Sequence, residues 1–144
     1  RRWIGQAATV KARIVNRDFQ EKGPRRMLNL GHTLGHALEA WSQGTDNPLS
    51  HGQSVAVGMA VVFRIAAERG TCALATAVQV IELLEACGLP ATYPCPDRDE
   101  LLRLLAGDKK RSARGGLRWV LPERIGKMDI GGQVSLDEIT KWLA

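Results

Sequence analysis

A mainly α-helical bundle domain with one small two-stranded β element is the fold class this sequence predicts, and three observations predict it. Apolar residues recur at helical spacing through most of the chain. Glycine, proline and capping signals cut that pattern into segments of helix length, and β-forming residues gather in two short stretches, LRWVL and KMDI. With 144 residues and 44% hydrophobic content, the chain suits one domain with a real core and is too short for two.

The first segment carries Ile4, Ala7, Ala8, Lys11 and Val15 at helical spacing, which predicts a helix up to Val15 with Lys11 near one of its faces. It reads as the middle of a helix with no cap before it, so the expectation is a piece cut from something longer. Asn16 to Arg26 breaks the pattern with Asp18, Glu21, Gly23 and Pro24 and reads as a polar loop. A central helix is expected from about Leu28 to Ser42, ended by Gly44 and the turn-rich GTDNP. The next segment, SVAVGMAVVFRIAAERG, is apolar on nearly all sides and predicts a helix buried in the middle of the bundle, stopping at Gly70.

A further helix from about Ala73 to Cys87 closes at Gly88, with Pro90 soon after. Asp97 and Glu100 have capping-box spacing for a short helix through Leu105, after which the charged run DKKRSARGG is expected to be a loop. LRWVL and KMDI then pair across a turn between Glu123 and Gly126, and Ser135 and Glu138 cap a last helix to Leu143.

Composition narrows the function classes. The net charge of +5 raises the question of nucleic acid, but the basic residues are spread along the chain and the four tryptophans do not interleave with them. Anionic small molecules fit the charge at least as well. The apolar run from Val55 is broken at Arg64, short of the roughly 20 residues a membrane span needs. No basic-then-apolar signal segment opens the chain, so a cytoplasmic protein is expected. Cys72, Cys87 and Cys95 lack CxxC spacing and read as reduced structural thiols.

The stretch from Arg25 to His51 holds all three histidines. On a helix at about 100° per residue, Asn29, His32, His36 and Glu39 fall within an arc of roughly 80°, opposite Leu30, Leu34, Ala37 and Trp41. Gly31 and Gly35 on the edge of that helix imply that another backbone, or a ligand, comes close. His32 and His51 are one candidate pair for a divalent metal; His32 and His36, four residues apart, are another, although the glutamate of the HExxH motif is absent between them. Lys11, Arg25, Lys109 and Lys110 are candidates to hold an anion.

Taken together, Lys11, Asp18, Glu21, Gly23, Arg25, Leu28-Asn29, Gly31-His32-Thr33, Gly35-His36-Ala37, Glu39 and His51-Gly52 closely resemble the 3-dehydroquinate synthase family of sugar phosphate cyclases. The likeness extends to GLP at Gly88 to Pro90, DKK at Asp108 to Lys110 and VLPERIG at Val120 to Gly126. It implies the C-terminal helical domain of a lyase of the shikimate pathway, which serves aromatic amino acid and chorismate biosynthesis by converting the sugar phosphate DAHP into 3-dehydroquinate and phosphate. Such enzymes use NAD and a divalent metal, zinc or cobalt, and usually form homodimers.

Carried over residue by residue, the resemblance implies that His32 and His51 are metal ligands. His36 and Asn29, the catalytic pair, would stand at the substrate phosphate with Lys109 or Lys110, and Lys11 and Arg25 at its carboxylate. The NAD-binding domain and the family's third metal ligand, a glutamate, would lie upstream of Arg1, so this chain alone should be inactive. Gln53 stands where the family commonly has glutamate, and the connection from His36 to His51 is slightly long. The competing readings are another sugar phosphate cyclase, a metal-dependent polyol dehydrogenase, and a stand-alone binding module without catalysis.

Overall fold

The computed structural model describes residues 2–111 and 118–143, and for 108–111 the backbone alone. Six α-helices follow in order: α1 (Arg2–Arg17), α2 (His32–Ser42), α3 (His51–Glu68), α4 (Leu74–Ala86), α5 (Arg98–Arg111) and α6 (Leu136–Leu143). A 3-10 helix, Pro24–Asn29, precedes α2, and strands β1 (Trp119–Arg124) and β2 (Lys127–Gly132) precede α6. The strands pair antiparallel, with Val120 opposite Ile130 and Leu121 opposite Asp129, around a two-residue turn whose Gly126 has φ 80°. No helix among the described residues is long and apolar enough to cross a membrane.

The centre is α3, as its apolar sequence requires. Val57, Ala60, Val61, Ile65 and Ala66 are all buried, and α2, α4, α6 and β1 pack around it. Leu34 of α2, Val57 and Val61 of α3, Leu101 of α5, Trp119 of β1 and Leu143 of α6 close one apolar cluster. Burying each leucine-sized side chain contributes about 1.5–3 kcal/mol. By contrast α1 buries none of its residues; it packs against the 3-10 helix and leaves Trp3 and Ile4 in solvent.

Two expected boundaries are wrong. The central helix does not begin at Leu28: a 3-10 helix ends at Asn29, and α2 starts at His32 after Gly31, whose φ of 77° belongs to left-handed backbone. An α-helix cannot run through that conformation, and it is one that glycine adopts without the Cβ penalty. The second error is α5, which does not stop at Leu105; the first part of DKKRSARGG continues it to Arg111, while 112–117 lie outside the described residues. Lysine and arginine are good helix formers and are favoured in a last turn, so a charged run was a poor reason to end the helix. The cysteines form no disulfide, but Cys87 is exposed and serves no packing, unlike buried Cys72.

The glycines answer the question they raised: what comes close is backbone. A Cβ on Gly31 would stand 2.6 Å from Met59 N and 2.7 Å from Val55 O, and one on Gly35 would stand 3.0 Å from Val55 Cα. From the other side, a Cβ on Gly58 of α3 would overlap the Gly31 carbonyl oxygen.

At the far end of α3, Arg69 grips Glu138 of α6 through two bonds of 2.6 and 2.7 Å and donates a third, 2.9 Å, to Gln133 O. Glu138 also accepts from the Ser135 amide at 2.9 Å, and Ser135 Oγ accepts from the Glu138 amide, so the expected capping box is present. The Arg69 bonds, reinforced by those from Ser135, outweigh the desolvation that raises the Glu138 pKa and hold it down, from 4.5 to about 2.

Two outcomes follow for stability. Gly58→Ala should cost about 1–3 kcal/mol or more in thermal unfolding, because only backbone can move to relieve it, whereas Gly107→Ala on α5, with nothing within 4 Å of its new Cβ, should be neutral or stabilising by up to about 1 kcal/mol. Glu138 binds protons more weakly folded than unfolded, so its contribution is complete above about pH 4.5 and is lost as pH falls toward about 2. With 27% of that side chain in solvent, Glu138→Gln should cost about 1–2 kcal/mol at pH 7. It should also flatten the acid limb of urea unfolding over that window.

Candidate functional site

Three imidazoles meet between α2 and α3, which run antiparallel, with Gly31 against Met59, Gly35 against Val55 and Glu39 against His51. Their ring centres form a triangle, 5.5 Å from His32 to His36, 5.5 Å from His32 to His51 and 5.8 Å from His36 to His51. His32 and His36 stand one turn apart on α2, while His51 is the first residue of α3. The glycine contacts between the two helices fix that meeting, because they set how far apart the backbones lie.

His51 is delivered by a connection whose fastenings the sequence did not reveal. Ser42 Oγ accepts from the Leu49 amide at 3.0 Å, and Tyr93 Oη donates to Asn47 O at 2.6 Å, so the long GTDNP segment is tied down between its ends. Ser50 then caps α3 in a capping box: Gln53 N donates to Ser50 Oγ, and Gln53 Oε1 accepts from Ser50 N at 2.9 Å. Glutamine and glutamate serve that position equally. The departure at Gln53 therefore leaves the start of α3, and His51 with it, well held.

Each of two rings has one nitrogen occupied. His32 Nδ1 lies 3.1 Å from Leu30 O, and a carbonyl oxygen only accepts, so Nδ1 carries the proton and Nε2 keeps its lone pair. His51 Nδ1 lies 3.0 Å from the Glu39 carboxylate, which likewise only accepts, so in the neutral ring the proton sits on Nδ1 and the lone pair on Nε2. Burial holds His32 below the ordinary imidazole range, and the nearby His36, His51 and Lys11 add to that, although the Leu30 carbonyl works against it. Among the described residues no group of three or more His, Cys, Asp or Glu could by itself hold a metal ion. Two Nε2 atoms amount to half of a four-coordinate site.

A second cluster, around Glu21, is built by the loop and 3-10 helix that lead into α2. The Glu21 side chain accepts from Asn29 Nδ2 at 2.8 Å and stands 4.0 Å from Arg25, whose guanidinium also donates to Phe19 O. Glu21 has φ 54°, a left-handed conformation that is uncommon outside glycine and tends to mark functional sites. Asp18 holds the loop: its carboxylate accepts from the amides of Lys22 (3.0 Å), Gly23 (2.7 Å) and Arg25 (3.1 Å). Desolvation raises the Asp18 pKa, but the three amide bonds and the Arg25 charge prevail and keep it low.

The expected residues thus divide. His32, His36 and His51 are brought together, and the charge of Lys11 reaches His32. Asn29 is not on the histidine helix, as the wheel had it; it belongs to the 3-10 helix and is tied to Glu21. Arg25 joins it there. Lys109 and Lys110 fall in the last turns of α5, and their side chains lie outside the described residues. Glu21 and Glu39 were visible in the motif but had no role, because their partners stand 8 and 12 residues away across turns.

A family model described as 3-dehydroquinate synthase C-terminal matches residues 1–111. The chain is 41% identical to the 3-dehydroquinate synthase of Mesorhizobium japonicum over 97% of its own length and 38% of that protein's. It is 41% identical to that of Paracoccus denitrificans over 88% and 35%. It therefore spans little more than a third of these relatives. Among solved structures it resembles ValA, a 2-epi-5-epi-valiolone synthase from Streptomyces hygroscopicus subsp. jinggangensis with NAD+ and Zn2+ bound, with a TM-score of 0.79 at 25% identity over 96% of this chain and 37% of that one. It also resembles a 2-deoxy-scyllo-inosose synthase complexed with carbaglucose-6-phosphate, NAD+ and Co2+, with a TM-score of 0.71 at 27% identity over 86% and 36%.

The loop geometry makes its own prediction. In Asp18→Asn one of the two acceptor oxygens is gone, and amide exchange at Lys22, Gly23 and Arg25 should quicken by roughly five- to tenfold; unchanged exchange would show that the loop is held by something else.

Proposed function

The chain belongs to the 3-dehydroquinate synthase family, and from that premise we propose that it is the C-terminal domain of an enzyme that converts DAHP into 3-dehydroquinate and inorganic phosphate, a carbon–oxygen lyase of the shikimate pathway. What supports the reading most is the pair His32 and His51, each with Nδ1 engaged by an oxygen and Nε2 left to bind. That is the usual state of a metal-ligating imidazole, and the donor set fits zinc or cobalt. His32 and His51 would hold the ion, with the remaining ligand from a residue outside this chain. When bound, the metal supplies a Lewis acid for the substrate's oxygens and NAD supplies a hydride acceptor.

The chain's own residues would bind and orient. Lys11 and Arg25 hold the substrate carboxylate, arginine by a two-pronged grip and lysine as a point charge. Asn29, His36 and one of Lys109 or Lys110 hold the phosphate, with His36 keeping or passing a proton at the oxygen that leaves. Glu21 sets the direction of Asn29 and Arg25, since it meets both. NAD is held mostly by an N-terminal domain beyond this chain, so these 144 residues alone are inactive. The whole enzyme is a cytoplasmic homodimer. Identity of 41% to 3-dehydroquinate synthases, against 25% and 27% to the two solved cyclases of other kinds, favours DAHP as the substrate.

Phosphate release from DAHP by the full-length enzyme tests this. His32→Ala and His51→Ala should each lower turnover by roughly 100-fold or more and reduce zinc binding. His36→Ala should lose turnover while still binding zinc. Full turnover by His32→Ala, or a preference for another sugar phosphate, would overturn the assignment.

A further inference from the structure

The reaction as proposed assigns nothing to Glu39. We propose that Glu39 is a positioning residue for the metal: by accepting the Nδ1 proton of His51 it fixes that ring's tautomer and rotation, so that Nε2 faces the ion. The inference rests on His51 being a ligand.

The two histidines of the pair are held in different ways. His32 is half-buried, and its Nδ1 is fixed by backbone, the Leu30 carbonyl 3.1 Å away. His51 is exposed at the first position of α3, with 55% of its side chain in solvent, and its contact with the His32 and His36 rings does not select which of its nitrogens faces them, since a ring flip leaves its plane unchanged. An imidazole free to turn presents either nitrogen and exchanges its tautomers, and only a fraction of its population then suits a metal. The Glu39 carboxylate, 3.0 Å from His51 Nδ1, removes that freedom.

The geometry that brings them together is built into the backbone. Glu39 follows His32 and His36 at seven and three residues' distance along α2, so all three share a face. The approach of α2 to α3 is set by Gly31, Gly35 and Gly58, where added side chains would strike backbone. Ser50 and Gln53 lock the first turn of α3, from which His51 projects. A carboxylate on one rigid helix and an imidazole on another give the sort of outer support that metal ligands require. An ordinary exposed ion pair would contribute little to anything, and the prediction differs accordingly.

The test uses the full-length enzyme with zinc as the probe, and compares wild type, Glu39→Ala, Glu39→Gln and His51→Ala. In a competition titration against a chromophoric chelator, Glu39→Ala should weaken zinc binding 10- to 100-fold, and Glu39→Gln, whose side-chain oxygen still accepts a proton, should recover most of it. In the metal-free protein, ¹⁵N-histidine spectra should show His51 protonated at Nδ1 in wild type and in Glu39→Gln, and as a mixture of tautomers in Glu39→Ala. If His51→Ala loses zinc while Glu39→Ala binds it like wild type, Glu39 has no positioning role and the metal assignment stands. If His51→Ala binds zinc unchanged, the ligand assignment fails and takes this inference with it.

Discussion

The Gly31 carbonyl oxygen occupies the space into which a side chain on Gly58 would project, and the architecture depends on that closeness. Because α2 and α3 touch through backbone along this seam, the histidines on the two helices bring their ring centres within 5.5 to 5.8 Å of one another. A bulkier contact would push the helices apart and divide the imidazole cluster. The same contact explains the left-handed turn at Gly31: the chain must bend there to leave the 3-10 helix and enter α2, and it must do so with no Cβ, pressed against Met59 N and Val55 O. Packing, chain direction and site geometry are therefore settled by one set of small residues.

Charge is arranged around this frame in two groups. One is the imidazole triangle, with Lys11 close enough for its charge to act on His32. The other is the loop that Asp18 gathers by its three amide bonds, which presents Arg25 and Asn29 to Glu21. The three imidazoles thus stand on two helices, while Arg25, Asn29 and Glu21 belong to the loop and the 3-10 helix that lead into α2.

Much of this was legible in the sequence, for identifiable reasons. The burial of α3 follows from a stretch with hardly a polar residue, and the caps at Asp97 and Ser135 follow from side chains that can reach only their own helix starts. His32 and His36 share a face by simple periodicity. What escaped involves contacts between distant residues or a special φ. Gly31 reads like any helical glycine until its neighbour across the interface is known, and so Asn29 was placed on the wrong element. His51 joins the cluster only through the fold of the connection, which periodicity does not describe, so the residues alone offer it as one of two candidate pairs and the family likeness is what prefers it. Glu21 and Glu39 stood in the motif, but their partners lay across turns.

The fastening between Ser42 and Leu49 has a consequence for how this domain tolerates change. The Ser42 hydroxyl holds the Leu49 amide, and Ser50 and Gln53 start α3 immediately afterwards. Residues 43–48 thus form a bight closed at its ends by Ser42 and Leu49 and held in its middle by Tyr93, and lengthening such a bight costs little, since closure entropy grows only with the logarithm of length. An insertion that keeps Thr45 and Asn47 would alter the surface near Tyr93 and leave His51 facing α2. The domain is in this sense buffered: a stretch that can take up extra length sits next to its most demanding geometry.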